Sequence, residues 1–113
     1  MVKYFTNTFL ATKVSFANEM KQICDGLNID YDKVVEYSTY DERLGKSHWA
    51  VPGPDGKLGF GGSCFPKDLN ALIHLARNLE TSLNTIGGAW DTNLDVRPEE
   101  DWKELKGRAV GDE

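Results

Sequence analysis

The segment Gly59-Phe60-Gly61-Gly62-Ser63-Cys64-Phe65-Pro66-Lys67-Asp68 gathers the chain's most reactive residue types. Glycine lets a backbone approach a ligand, or take φ > 0, without steric penalty. Cys64 follows three glycines and precedes Pro66, a good first-turn residue for a helix. A helix N-terminus presents unpaired N–H groups and a partial positive charge, which favours a thiolate. Lys67 adds a nearby cation. Asp68 lies four residues after Cys64, one helical turn away, so it should reach back toward the sulfur and could serve as a general base on water. From spacing alone two readings stand: Cys64 is a nucleophile, or it is the small inert hydrophobe that a lone cysteine more often is.

A second pair is Lys3 and Asn7, one turn apart and so on one helix face. Together they could donate hydrogen bonds to a developing oxyanion, or they form an ordinary solvated face. Arg43, in Asp41-Glu42-Arg43-Leu44-Gly45, reads as a surface-loop arginine. Cys24 falls on an apolar helical stripe and reads as core. Neither His48 nor His74 stands at metal-ligand spacing, and two cysteines are too few for a disulfide scaffold or a zinc site. No metal is expected.

The elements that must hold these residues are helices. Phe5, Phe9, Leu10, Val14, Ala17, Met20, Ile23, Cys24 and Leu27 recur at three- and four-residue steps, which predicts one long helix over residues 3–27, stopped by Gly26 and Asn28. Asp30 is the N-cap of a short helix to about Tyr40, with Val34, Val35 and Tyr37 turned inward. Residues 41–66 hold six of the eleven glycines and three of the four prolines, the composition of a long loop that is functional or disordered. Spaced aromatic and aliphatic residues, among them Trp49, Val51, Phe60 and Phe65, argue against disorder. Helix resumes after Pro66, with Leu69, Leu72, Ile73, Leu75, Ala76 and Leu79 as its apolar face. A further helix runs from about Thr81 into the nineties, weakened by Gly87-Gly88. Arg97-Pro98-Glu99-Glu100-Asp101-Trp102 could open a last short helix before Gly107, and Arg108-Ala109-Val110 is the one hint of a strand. The fold class is mainly α.

Length and charge narrow the functions. At 113 residues the chain suits one domain. Its net charge is −5 with lysines and arginines interleaved among acids, so no basic stripe exists to neutralise a phosphate backbone, which argues against a nucleic-acid partner. No apolar run approaches the roughly 20 residues of a membrane span. The N-terminus lacks a signal-peptide apolar region, and the expected compartment is cytoplasmic.

Four segments carry a resemblance: Lys3-Tyr4-Phe5-Thr6-Asn7, Ala11-Thr12-Lys13-Val14-Ser15-Phe16-Ala17-Asn18-Glu19, Asp41-Glu42-Arg43-Leu44-Gly45, and Phe60 through Asp68. In this order they resemble the central domain of the UDP-glucose and GDP-mannose dehydrogenases over roughly residues 1–80, closer to the UDP-sugar branch. The resemblance implies a domain like the central helical domain of the 6-phosphogluconate dehydrogenase type over residues 1–95. Residues 96–113 would then be a tail or the start of a nucleotide-binding domain.

It also implies a chemistry. Such enzymes oxidise the primary alcohol at C6 of a nucleotide sugar to a carboxylate, in two hydride transfers to NAD, through a cysteine thiohemiacetal and thioester. Carried onto this chain, Cys64 is the nucleophile, and Asp68 assists proton transfer and positions the hydrolytic water. Lys3 and Asn7 hold the C6 oxygen. Phe60 and Gly61 line the nucleotide-sugar pocket, Arg43 reaches the sugar across a homodimer interface, and Lys67 is the nearest candidate for a cofactor contact. Thiolate suits the task because it is both a good nucleophile and a good leaving group.

The family's cofactor sits on a Rossmann domain with a G-x-G-x-x-G turn after its first strand, and no such motif is present in this sequence. The expectation is therefore a chain inactive alone that binds NAD poorly. It would be a truncated reading frame, a cloning boundary or a stand-alone relic, with an NAD-domain chain in trans as a further option. The rival expectation is a non-catalytic helical module that dimerises or binds a partner and keeps the cysteine loop as ancestry.

Overall fold

A computed structural model describes residues 1–104, and within them the fold is helical without a strand. Four helices appear: α1 (Val2–Gly26), α2 (Tyr31–Ser38), α3 (Cys64–Asn78) and α4 (Asn84–Val96), with 3-10 turns at Glu42–Leu44 and Asp101–Glu104. The mainly-α class is as the sequence reads. The suggested strand at Arg108-Ala109-Val110 lies outside the described residues.

Helix ends follow local chemistry. After α1, Asn28 takes φ 56°, and the Ile29 and Asn28 N–H groups return to the Cys24 and Asp25 carbonyls at 2.8 and 3.3 Å. This is the Schellman arrangement, and asparagine tolerates its left-handed residue better than most side chains. The end of α3 repeats it: Glu80 has φ 54°, and Thr81 N–H reaches the Ala76 carbonyl at 2.9 Å. Asp30 caps α2 as expected, accepting from Asp32 and Lys33 N–H. Helix α3 starts at Cys64, two residues before Pro66, so the proline occupies the first turn without opening it.

Helix α1 is the axis against which α2, α3 and α4 pack. One core cluster joins Ala17, Cys24, Tyr31 and Val51 at the α2 end; another joins Ala11, Phe60 and Leu69 where the long loop meets α3. The loop is therefore part of the core, since it contributes Val51 and Phe60 to these clusters.

Several apolar residues face outward instead. Phe5, Phe9, Ile23 and Leu27 of the α1 stripe are exposed, as are Tyr37 of α2 and Leu75 and Leu79 at the end of α3. At 100° per residue, Val2, Phe5, Phe9, Phe16, Ile23 and Leu27 fall within an arc of about 60°. The interior of α1 is lined by smaller and polar residues, including Thr8, Ala11, Lys13, Ser15, Ala17 and Asn18. The sequence periodicity is correct, but part of its apolar set faces away from this chain's core.

Polar groups also tie the elements together. The Ser15 hydroxyl donates to the Ala89 carbonyl at 2.6 Å and draws α4 onto α1. Lys13 is buried, which lowers its pKa; its ammonium donates to the Leu44 carbonyl at 3.0 Å and lies 4.5 Å from the Trp49 ring centroid. It thereby fastens the 3-10 turn carrying Arg43 to α1. The segment after α4 returns to the body, with Arg97 and Trp102 each about 1% exposed.

Candidate active site

Helices α1 and α3 hold the four proposed reacting residues in two pairs, Lys3 with Asn7 and Cys64 with Asp68. One hydrogen bond joins the pairs: Asn7 Nδ2 donates to Asp68 Oδ2 at 2.7 Å. Asp68 is wholly buried, and its Oδ1 has no hydrogen-bond partner among the described residues. A buried polar atom without a partner costs about 1–3 kcal/mol and calls for an explanation. Asn7 is half-buried and Lys3, one turn earlier, is exposed. The amide expected to face an oxyanion thus already uses one N–H on the carboxylate.

Cys64 is exposed and is the first residue of α3. Ser63 precedes the helix without capping it, and its hydroxyl lies 4.0 Å from the thiol. Cys24, in contrast, is buried in the core, as its place on the apolar stripe suggests. Lys67 is half-buried in the first turn of α3. Arg43 is bound to Asp41 by three hydrogen bonds and its side chain is 88% exposed. Among the described residues it reaches none of the other site residues.

Phe60 and Gly61 line a cleft of about 410 Å³ together with Val14, His48, Pro54 and Phe65. Its aromatic wall is continuous: Phe60 and Phe65 meet edge to face at 6.0 Å between centroids, and His48 lies 5.8 Å from Phe65. Cys64, Asp68, Lys3 and Asn7 do not line this cleft. Cys64 is instead joined to it in sequence, through Gly61-Gly62-Ser63.

Three residues with no role assigned from the sequence hold the loop. Asn93 Oδ1 accepts from Phe60 N–H at 2.7 Å while Asn93 Nδ2 donates to the Phe60 carbonyl at 2.9 Å. Asn18 Oδ1 accepts from Gly59 N–H at 3.2 Å. Arg97, one turn beyond Asn93, donates to the Leu58 carbonyl at 3.2 Å, to Asp55 at 2.7 Å and to Asp101 at 2.8 and 3.0 Å. The hydrogen bond from Arg97 holds the Asp101 carboxyl below the usual carboxylate range. Burial pushes Asp55 up, but the bonds from Arg97 and the Lys57 backbone outweigh it and the net shift is downward. The only advance signal was the glycines. A Cβ on Gly59 would collide with the Asn93 amide, and one on Gly61 would stand 2.6 Å from Arg97 Cζ.

Among the described residues no cluster of histidine, cysteine and carboxylate side chains could hold a metal ion. No helix is long and apolar enough to cross a membrane.

Fold and site together define a helical domain that presents a cysteine at a helix start, behind a glycine loop pinned by buried polar side chains. The chain belongs to the UDP-glucose/GDP-mannose dehydrogenase family, whose central-domain model matches residues 1–95. It is 46% identical over 80 residues to the UDP-glucose 6-dehydrogenase YwqF of Bacillus subtilis, an alignment covering 71% of this chain and 17% of that protein. The UDP-glucose 6-dehydrogenase AglM of Haloferax volcanii is 39% identical over 99 residues, 88% of this chain and 22% of AglM. The UDP-glucose 6-dehydrogenase of Rickettsia typhi is 41% identical over 98 residues, covering 87% and 21%. The chain thus spans about a fifth of the length of the curated relatives it matches.

Proposed function

We propose that this chain is the cysteine-bearing, dimerising segment of an NAD-dependent nucleotide-sugar 6-dehydrogenase acting on UDP-glucose or a close relative. The observation that carries the reading is Asp68: wholly buried, tied to Asn7 through one oxygen, with the other oxygen lacking a partner among the described residues. Such a carboxylate, one turn from an exposed cysteine, suits the handling of a water or hydroxyl proton.

The described residues do not fit NAD, because they include no strand and no strand-to-helix glycine turn to receive a pyrophosphate. The hydride acceptor is assigned elsewhere, and only two steps fall to the residues present. In the first, Cys64 sulfur bonds to the C6 carbon of the sugar aldehyde and the carbonyl oxygen takes a proton, giving a thiohemiacetal. In the last, water adds to the thioester carbon, Asp68 accepts the water's proton, and the C–S bond breaks to release carboxylate and the Cys64 thiol. Lys3, with the second N–H of Asn7, stabilises the oxygen that gains charge in each step. Phe60 and Gly61 form the wall for the nucleotide sugar, and Lys67, half-buried in the first turn of α3, is the residue assigned to a cofactor contact.

Arg43 acts on the sugar of a second protomer in this reading. The outward stripe Val2, Phe5, Phe9, Phe16, Ile23 and Leu27 on α1 supplies the dimer surface, since contiguous apolar exposure of this kind marks an interface. That stripe equally serves the rival reading, a purely dimerising module, and the cysteine loop separates the two.

The deciding measurement is alkylation of Cys64 with and without UDP-glucose, with Cys24 as the buried reference thiol. Protection of Cys64 by UDP-glucose is expected. A Cys64 rate indifferent to saturating UDP-glucose would sink the enzymatic reading and leave the dimerising module.

A further inference from the structure

The loop from Leu58 to Gly61 makes no backbone–backbone hydrogen bond among the described residues. Its polar groups are met by side chains instead: Asn18 at Gly59, Asn93 at both groups of Phe60, and Arg97 at Leu58. Asn93 is 0% exposed, and both polar atoms of its amide are taken up by the Phe60 backbone. A primary amide is the side chain suited to this place, because it offers an acceptor to the Phe60 N–H and a donor to the Phe60 carbonyl. The glycines on either side complete the fit, since a Cβ on Gly59 or Gly61 would enter the space of Asn93 or Arg97.

We propose that Asn93 is a positioning residue for the nucleotide-sugar cleft, setting the backbone of Phe60 and Gly61 that forms the cleft wall, with Arg97 securing the preceding turn. This rests on the reading of that cleft as the nucleotide-sugar site. Asn93 fixes the rotation of the Phe60 peptide groups, and so the direction of the Phe60 ring and the Gly61 backbone. It also fixes the short run through Gly62 and Ser63 that leads to Cys64.

Asn93→Asp tests this through the proton it can carry. The protonated carboxyl keeps one acceptor and one donor and reproduces the amide. The ionised form sets a negative oxygen against the Phe60 carbonyl. Burial raises a carboxyl pKa by up to about 3–5 units, which brings this switch between about pH 6 and pH 9. UDP-glucose affinity is measured for wild type and Asn93→Asp at both pH values, with Cys24 alkylation reporting whether the core stays closed.

The expected result is about a tenfold or greater loss of affinity in Asn93→Asp at the higher pH, recovered at the lower, relative to wild type at the same pH. Cys24 should stay protected throughout. Equal affinity of Asn93→Asp and wild type at the higher pH would overturn the positioning role and leave the cleft assignment standing. Absence of UDP-glucose binding by wild type would overturn the cleft assignment and the positioning role with it. Should Asn93→Asp expose Cys24, Asn93→Ser takes its place. Weakened binding with Cys24 protected then supports the proposal, and unchanged binding overturns it.

Discussion

Asn7 and Asp68 stand 61 residues apart in sequence and are joined by a 2.7 Å hydrogen bond that crosses from α1 to α3. It is the only partner of a carboxylate that is otherwise wholly enclosed among the described residues. Removing the donor alone leaves Asp68 without any compensation. Asn7→Ala should therefore destabilise the fold by about 1–3 kcal/mol or more, the penalty for a buried group deprived of its hydrogen bond. Urea unfolding of Asn7→Ala, Asp68→Ala and the double variant is expected to show a coupling energy of about 0.5–3 kcal/mol. Simple additivity would mean that the two side chains do not depend on one another.

Adjacent glycines in the cysteine loop should respond differently to alanine. A Cβ at Gly61 meets the Arg97 guanidinium and stands 2.7 Å from Asp101 Oδ1, whereas Gly62 has open space but a φ of 72°. Gly61→Ala must displace a buried ion pair and is expected to cost about 1–3 kcal/mol by overpacking. Gly62→Ala suffers backbone strain alone, about 1 kcal/mol. Thermal unfolding of the two variants should rank them in that order.

Arg97 links acid stability to the loop. Asp101 and Asp55 both have carboxyl pKa values lowered from 3.8, Asp101 chiefly by its hydrogen bond to Arg97. Depressed carboxylates stabilise the folded state above their unfolded pKa, and that contribution is lost as pH falls through the lower folded value. Stability should thus hold at neutral pH and decline below about pH 4. Arg97→Met should lower stability at pH 7 by about 1–3 kcal/mol, chiefly through the hydrogen bonds lost at the Leu58 carbonyl and Asp101, because the two carboxylates left behind are partly open to solvent and screened, and should flatten the acid decline. Circular dichroism across an acid titration reads both effects.

Tyr31 sets the alkaline limit. Burial, followed by the charges of Asp32 and Cys24, pushes its phenol from 10.0 up to about 12, and its hydroxyl donates to the Trp49 carbonyl at 2.6 Å. A raised phenol pKa means that the folded state keeps a proton the unfolded state has released. Stability should therefore fall as pH climbs from 10 toward 12. Ultraviolet titration should show one of the four tyrosines ionising late, and Tyr31→Phe should abolish that late step.

The outward stripe of α1 makes a separate expectation. In the proposed twofold dimer each substitution counts twice, and burying one phenylalanine side chain is worth about 1.5–3 kcal/mol. Phe9→Glu should raise the dimer dissociation constant by about a hundredfold or more, as read by sedimentation across a concentration series. Identical sedimentation of Phe9→Glu and wild type would remove α1 from the interface.

The sequence made the helices legible because their apolar residues recur at helical steps. It could not say which side of α1 each faces: Phe5, Phe9, Ile23 and Leu27 share the period of Ala17 and Cys24 but point outward. Periodicity records that a residue is apolar, and a surface kept for another chain is as apolar as a core. Cys64, Asp68 and Asn7 were legible as types at one-turn spacings, and Phe60 and Gly61 through the resemblance. Asn18, Asn93 and Arg97 were not, because a polar residue in a helix looks the same whether it meets water or a loop 30 or more residues distant.

Those long separations also order the assembly of the site in time. Gly59 must find Asn18, 41 positions behind it, and Phe60 must wait for Asn93, 33 positions ahead. Closing loops of that length costs entropy before any bond offsets it. As the chain leaves the ribosome, α1 with Asn18 and the glycine loop emerge before α4, so the loop passes through synthesis without Asn93 and Arg97. The cysteine loop is then among the last parts to take shape. An opening of α4 that spares the rest of the fold would release it first, making it the site where slow hydrogen exchange should first break down.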